Sequence, residues 1–271
     1  MMHSIFGTKH LIIVAICIAL IVVLFLLSKK VSFATACKIM LYVGIVSEVV
    51  KIFSYIIMNE DTHGGILPKT DLPFHLCSIQ ILFVAVLNFS KNEKLKRFLI
   101  AFMFPSCLIG GAAAILIATN SSLNAWVITF QYFLYHVAII VLALKIATSK
   151  ELKLNVSDYF NALKFVGLLM FFAIYINSIL YDGESNINFM YVASPPQSGL
   201  PFLTEKYGWF VYIVHYACLI LFAISACYAK PIYTAIKGKF SKNTPTVSAT
   251  NENMAQENNT IEAEDEAAVS E

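Results

Sequence analysis

The stretch Thr70–Ser78 reads TDLPFHLCS and gathers the residue types of thiol chemistry. A cysteine thiolate is the strongest nucleophile among side chains, provided something takes its proton and a positive field favours the anion. Cys77 has three imidazoles as candidate bases: His75, His136 and His215. His75 lies two residues away and so points to a different face of any helix that carries Cys77. The other two sit in later apolar runs. Asp71 precedes Pro73, a residue suited to a first helical turn, where its missing N–H costs nothing. With Thr70 or Asp71 as N-cap, Cys77 falls near a helix start, where amides and the helix dipole favour a thiolate. The remaining cysteines, Cys17, Cys37, Cys107, Cys218 and Cys227, lie in apolar segments. No C-x-x-C pair occurs, so neither a disulfide nor a zinc site is expected, and no motif calls for a cofactor.

The elements that must position these residues are membrane spans. The chain has 271 residues, 58% hydrophobic and only 13% charged, with a mean hydropathy of +0.72. A soluble domain needs more polar surface than this, and the long continuous apolar runs exclude the alternating strands of a membrane barrel. The fold class is therefore all-α, a polytopic seven-helix bundle. Apolar runs at Leu11–Leu27, Phe33–Met58, Leu72–Phe89, Phe98–Ala118, Trp126–Ala147, Tyr159–Tyr181 and Gly208–Ala229 each approach the ~20 residues that cross a bilayer. Lys29 and Lys30, Lys91 to Arg97, Lys145 to Lys153, and Lys230 to Lys242 all fall on one side. The other side carries Lys9, Lys69 and Lys206. This bias puts the N-terminus outside and the C-terminus in the cytoplasm. Residues 1–240 form the membrane domain. Residues 241–271, polar and acidic with no aromatic residue, read as a disordered cytoplasmic tail. There is no Gly-rich phosphate loop and no basic–aromatic face for nucleic acid.

Ionisable groups inside spans are costly, which makes their positions informative. Glu48 and Lys51 are three apart on one helix and form an expected ion pair. At 1.5 Å per residue, Cys77 lies roughly 6–9 Å below the outer boundary, His215 roughly 10 Å and His136 roughly 15 Å, with Gln131 above His136. Depth alone does not choose between the two imidazoles. All these groups fall in the outer half, as a polar cavity open to the outer leaflet requires. The outer segment Asn177–Trp209 is long and aromatic, with Pro195 and Pro196 adjacent. It reads as a lid or a re-entrant piece, or equally as an interfacial aromatic belt.

Three stretches together carry a resemblance: DLPFHLCS at Asp71–Ser78, YH at Tyr135–His136, and the sequence from Asn177 through NFMYVASPP to GWFVYI. In order and spacing they resemble the YwaF family of bacterial integral membrane proteins. That family is similar to a vertebrate multi-span acyltransferase with a cysteine acyl carrier, and to the androgen-induced membrane hydrolases in fold. The resemblance implies an integral membrane enzyme of the cell membrane that moves acyl chains between phospholipids and lysolipids through a thioester. It implies Cys77 as nucleophile and His136 as base. His75, Asp71, Glu48, Lys51, Gln131 and His215 would support them, with Asn177, Asn188, Tyr191 and Trp209 at the substrate. A lipid hydrolase at the same site, or a non-enzymatic sensor, carrier or scaffold, are the alternatives.

Overall fold

The computed structural model describes residues 7–58, 67–117, 126–196, 203, 204 and 206–242. Its helices are α1 (Thr8–Ser28), α2 (Phe33–Met58), α3 (Ile79–Phe89), α4 (Glu93–Pro105), α5 (Gly111–Leu116), α6 (Trp126–Thr148), α7 (Val156–Leu180), α8 (Trp209–Cys227) and α9 (Ala229–Lys242). Among the described residues, six stretches are long and apolar enough to cross a membrane: α1, Phe33–Tyr55 of α2, Glu93–Leu116, α6, α7 and α8. The protein is an all-helical, multi-pass membrane protein.

Polar caps fix where the spans begin. The Asn92 side chain accepts from the Leu95 amide at 3.1 Å, which starts α4 five residues before its apolar run. Asn155 and Asp158 form a reciprocal box, each side chain bonding the other's backbone N–H at 3.2 and 2.8 Å. Asp158 is 2% exposed and also takes the Arg97 guanidinium, whose Nε–H donates at 2.7 Å and whose Nη2 reaches the second carboxylate oxygen. Nη2 donates as well to the Lys153 carbonyl at 2.6 Å. Lys145 closes the same end, donating to the Ser28 and Val31 carbonyls that follow α1. The basic loops thus share one end of the bundle.

The core lies where α4 and α6 meet their neighbours. Ala101, Ala143 and Ala162 are fully buried, and small residues let helices approach closely where lipid provides no hydrophobic drive. At Gly111 an added Cβ would stand 2.6 Å from the Ile140 side chain, so only glycine fits there. The outward faces of α1, α2, α7 and α8 remain apolar and exposed, as at Ile18, Val46, Phe171 and Phe222. That surface is stable only in lipid.

Two departures from the sequence reading concern the site. The third expected span, Leu72–Phe89, is helical only over the 11 residues of α3, about 16 Å of the ~30 Å hydrocarbon. Before it, Lys69–Asp71 forms a 3-10 turn and Leu72–Ser78 runs irregularly. Pro73 is therefore not in a helical first turn, and neither Thr70 nor Asp71 caps one. The fourth span is interrupted after Pro105 by a π-helical turn, Ser106–Gly110, before α5. Proline lacks the N–H that would continue the ladder, and a π turn absorbs the mismatch. The chain divides into two compact units, Met1–Ala229 and Lys230–Glu271. α9 is helical to Lys242; the rest of the expected tail lies outside the described residues.

Candidate functional site

Irregular backbone at membrane depth survives only where protein satisfies its polar groups. The segment before α3 meets this condition through remote side chains. Lys51 of α2 donates to the Asp71 carbonyl at 3.1 Å. The Tyr135 hydroxyl of α6 donates to the Cys77 carbonyl at 2.8 Å. The Gln80 amide donates to the Leu76 carbonyl at 3.2 Å and to Ser106 Oγ in the π turn at 3.1 Å. His75 Nε2–H donates to the Thr70 carbonyl at 2.9 Å. Leu76 packs against Gly110, where a Cβ would come within 3.2 Å. Cys77 is thus fixed between α2, α6 and the π turn.

The second irregular segment, Tyr181–Pro196, is braced in the same way. Asn177, 8% exposed, donates to the Phe189 carbonyl at 3.2 Å and accepts from its N–H at 2.8 Å. Asn188 bonds Ala193 and Ser194. Trp209 Nε1–H donates to the Val192 carbonyl at 2.9 Å, and the Tyr216 hydroxyl to the Met190 carbonyl at 3.0 Å. Tyr212 donates to the carbonyls of Tyr191 and Ser194. These clamps hold Met190 and Tyr191 at φ 57° and 53°. Left-handed backbone costs an L residue about 1–2 kcal/mol each, and such strain gathers where function requires a fixed geometry.

The two segments meet. Phe189 packs edge-on against His75 at 4.8 Å and Phe74 at 5.5 Å between ring centroids. Lys69 bonds Asp182 at 2.8 Å. That bond and the Ser185 and Glu184 amides hold the Asp182 carboxyl well below the usual carboxylate range. Cys77 lies on the first of the two segments. The Lys51 ammonium is in electrostatic range of its sulfur. So are the Tyr132, Tyr135 and Tyr191 hydroxyls and Cys107.

The residues singled out in the sequence divide accordingly. Asp71, His75, Cys77 and Lys51 come together, and Glu48 pairs with Lys51 at 2.8 Å. The Tyr55 hydroxyl bonds the Asp71 carboxylate. Gln131 bonds Ser47 of α2 rather than the cluster. His136 is 3% exposed; its Nδ1–H donates to the Tyr132 carbonyl at 2.7 Å, which leaves the Nε2 lone pair as its basic site. Its ring stands 4.2 Å from that of Tyr132, and no hydrogen bond joins it to the sulfur. His215 is exposed on the outer face of α8, away from the cluster. Asn177, Asn188 and Trp209, expected at the substrate, spend their polar atoms on the loop itself. Gln80 escaped the sequence reading, and Tyr135 entered it only as part of the Tyr135–His136 pair. A glutamine within a span is the type of signal that identifies the first, whereas Tyr135 reads only as one more aromatic residue.

The fold and site define a polytopic helical membrane protein in which two irregular segments, each held by side chains from neighbouring helices, meet beside a half-buried cysteine. The chain belongs to the TMEM164 family, whose model matches residues 5–228. No curated protein and no solved structure matches it.

Proposed function

We propose that this protein is a cysteine-dependent acyltransferase of the cell membrane, moving fatty acyl chains between phospholipids and lysolipids. The observation that carries this reading is the setting of Cys77: a thiol on irregular backbone, its own carbonyl fixed by the Tyr135 hydroxyl at 2.8 Å, near a loop held in a strained conformation. The thiolate attacks the ester carbonyl of a bound phospholipid, and His136 Nε2 accepts the thiol proton. The C–O bond breaks, the lysophospholipid leaves as an alcohol with that proton, and the acyl group stays on sulfur. A second lysolipid hydroxyl then attacks the thioester, and the thiol is restored. The Ile187–Pro196 loop keeps water from competing with that hydroxyl. The Lys51–Glu48 pair and His75 hold the segment that carries the thiol.

The end of the bundle that carries Lys145, Lys153 and Arg97 faces the cytoplasm. In this reading the start of α1 and Cys77 lie on the outer side. The segment 67–89 completes the crossing as a seventh, partly helical span. The test is purified protein given a labelled acyl phospholipid. A hydroxylamine-sensitive label on Cys77, lost in Cys77→Ser together with acyl exchange while the fold is kept, is the expected result. Unchanged exchange in that variant removes Cys77 from the chemistry. Free fatty acid as the product, in place of transferred ester, makes the protein a hydrolase.

A further inference from the structure

The last span delivers a basic helix to the membrane boundary. α8 ends at Cys227, and Tyr228, at φ −95° and ψ 12°, breaks the helix before α9 begins at Ala229. The end of α8 is fixed in the bundle. The Tyr228 hydroxyl donates to the Ala101 carbonyl at 2.7 Å, and the Tyr159 and Ser225 hydroxyls bond at 3.1 Å. Tyr159 follows Asp158, which takes the Arg97 guanidinium. By chain connectivity, α9 therefore starts from the end of the bundle that carries the basic loops.

α9 has the composition of a surface helix, not of a span. Its 14 residues hold four lysines and no acid. At about 100° per residue, Ile232, Tyr233 and Ile236 fall on one stripe, Lys230 and Lys237 along its edge, and Thr234 and Gly238 opposite. The sequence carries the pattern on with Lys239, Phe240 and Lys242. Tyr233 is 65% and Ile236 49% exposed, and a Cβ added at Gly238 would meet nothing within 4 Å. Among the described residues, no ion pair takes Lys230 or Lys237. An apolar stripe edged by uncompensated lysines suits the plane of a membrane interface, where apolar side chains enter the acyl boundary and ammonium groups reach phosphates. Charge selects the occupant. A cationic edge matches anionic headgroups, and neither zwitterionic lipid nor the apolar flank of another span offers that match.

We propose that α9 lies along the headgroup layer and binds anionic phospholipid of the protein's own membrane, with Ile232, Tyr233 and Ile236 at the acyl boundary and Lys230 and Lys237 on the phosphates. This surface is independent of the acyl-transfer reading. The test uses full-length protein in nanodiscs, which leave both membrane faces open to reagent, made of phosphatidylcholine alone or with about 30% phosphatidylserine. Ile236→Cys puts a thiol on the stripe and Thr234→Cys puts one opposite it. Modification of each by a water-soluble maleimide is read site by site by mass spectrometry. Anionic lipid is expected to slow Ile236→Cys about tenfold relative to Thr234→Cys. A lysine near an anionic surface is worth about fivefold in binding, so Lys230→Gln/Lys237→Gln should remove most of that contrast, as should high salt. A ratio of rates that is the same in both lipids overturns the proposal, and so does a contrast that persists undiminished in Lys230→Gln/Lys237→Gln. Protection of Ile236→Cys that is already complete in phosphatidylcholine, and is lost on deleting residues 243–271 with their acidic run Glu262–Glu266, puts the tail on the stripe and likewise overturns it. Acyl exchange has no part in this readout, so failure of either proposal leaves the other standing.

Discussion

Asn177→Leu isolates the clamp on the Ile187–Pro196 loop. Asn177 serves both polar groups of the Phe189 peptide, at 2.8 and 3.2 Å, from a buried position on α7. Leucine keeps the volume and removes both bonds. The loop balances two left-handed residues, about 2–4 kcal/mol of strain together, against six hydrogen bonds from Asn177, Tyr212, Tyr216 and Trp209. At about 0.5–1.5 kcal/mol each, the six supply roughly 3–9 kcal/mol. Losing two withdraws about 1–3 kcal/mol and brings the loop close to parity with its strain. Local opening then becomes roughly 5- to 150-fold more frequent, at tenfold per 1.4 kcal/mol. Hydrogen exchange read by mass spectrometry measures this directly, because the Phe189 N–H is one of the lost donors. Peptides covering Phe189–Ala193 should exchange faster by that factor, while those from α4 and α6 keep their protection. Unchanged exchange at Phe189–Ala193 refutes the claim that Asn177 holds the strained turn.

The other predictions concern the framework. Arg97→Met leaves Asp158 buried without its cation, and loss of one partner of a buried pair costs about 3–5 kcal/mol; thermal unfolding in detergent should show it, with partial recovery in Arg97→Met/Asp158→Asn. Tyr135→Phe removes one of the two donors to the Cys77 carbonyl and leaves the Gln80 N–H, at a cost of about 0.5–1.5 kcal/mol, so site-resolved mass spectrometry should show faster maleimide modification of Cys77. In a double-mutant cycle, Lys51→Met and Glu48→Gln should cost less together than the sum of the two, by about 0.5–3 kcal/mol, since each single change strands the other group. The Asp182 carboxyl titrates below its unfolded value, so the Lys69 tether is present above the ordinary carboxylate pKa and is lost as pH falls through the lower folded value. Exchange of the Ser185 amide, bonded to Asp182 at 2.7 Å, should therefore be the same at pH 7 and pH 5 after correction for intrinsic rates, and Asp182→Asn should raise it at both.

Apolar run length is what made the spans legible. α1, α2, α6 and α8 begin and end within a few residues of the runs that mark them, because the bilayer selects on length and greasiness alone. Hydropathy reads poorly where polar residues do helical work. Glu93, Lys94, Lys96 and Arg97 are charged yet helical because Asn92 caps them, and Val156–Asp158 is helical because of the Asn155 box. The segment Leu72–Ser78 is a harder case. It has the apolar content of a helix and a proline placed as in a first turn. Its irregular path depends on Gln80 just after it, on Lys51 twenty residues before Asp71, and on Tyr135, which is remote and indistinguishable by type from a packing residue. Cys77 and His75 were visible because an acid, a proline, an imidazole and a thiol crowd into Asp71–Cys77. The commitment of Asn177, Asn188 and Trp209 to the loop depends on bonds that no local pattern encodes.

The two irregular segments also constrain how the bundle assembles. α3, at 11 residues, is too short to cross the hydrocarbon unaided, and the carbonyls ahead of it find partners only on α2, on α6, within their own turn and on α3 itself. Each carbonyl left bare in hydrocarbon costs several kcal/mol. Segment 67–89 therefore gains a stable place only after α2 and α6 have come together, an order that chain connectivity alone does not impose since α6 follows it in sequence. The Tyr181–Pro196 loop in turn closes on Phe74 and His75. The same bonds that make Cys77's position expensive to form make it rigid once formed, and a rigid first position is what a nucleophile needs to meet a carbonyl at a fixed angle.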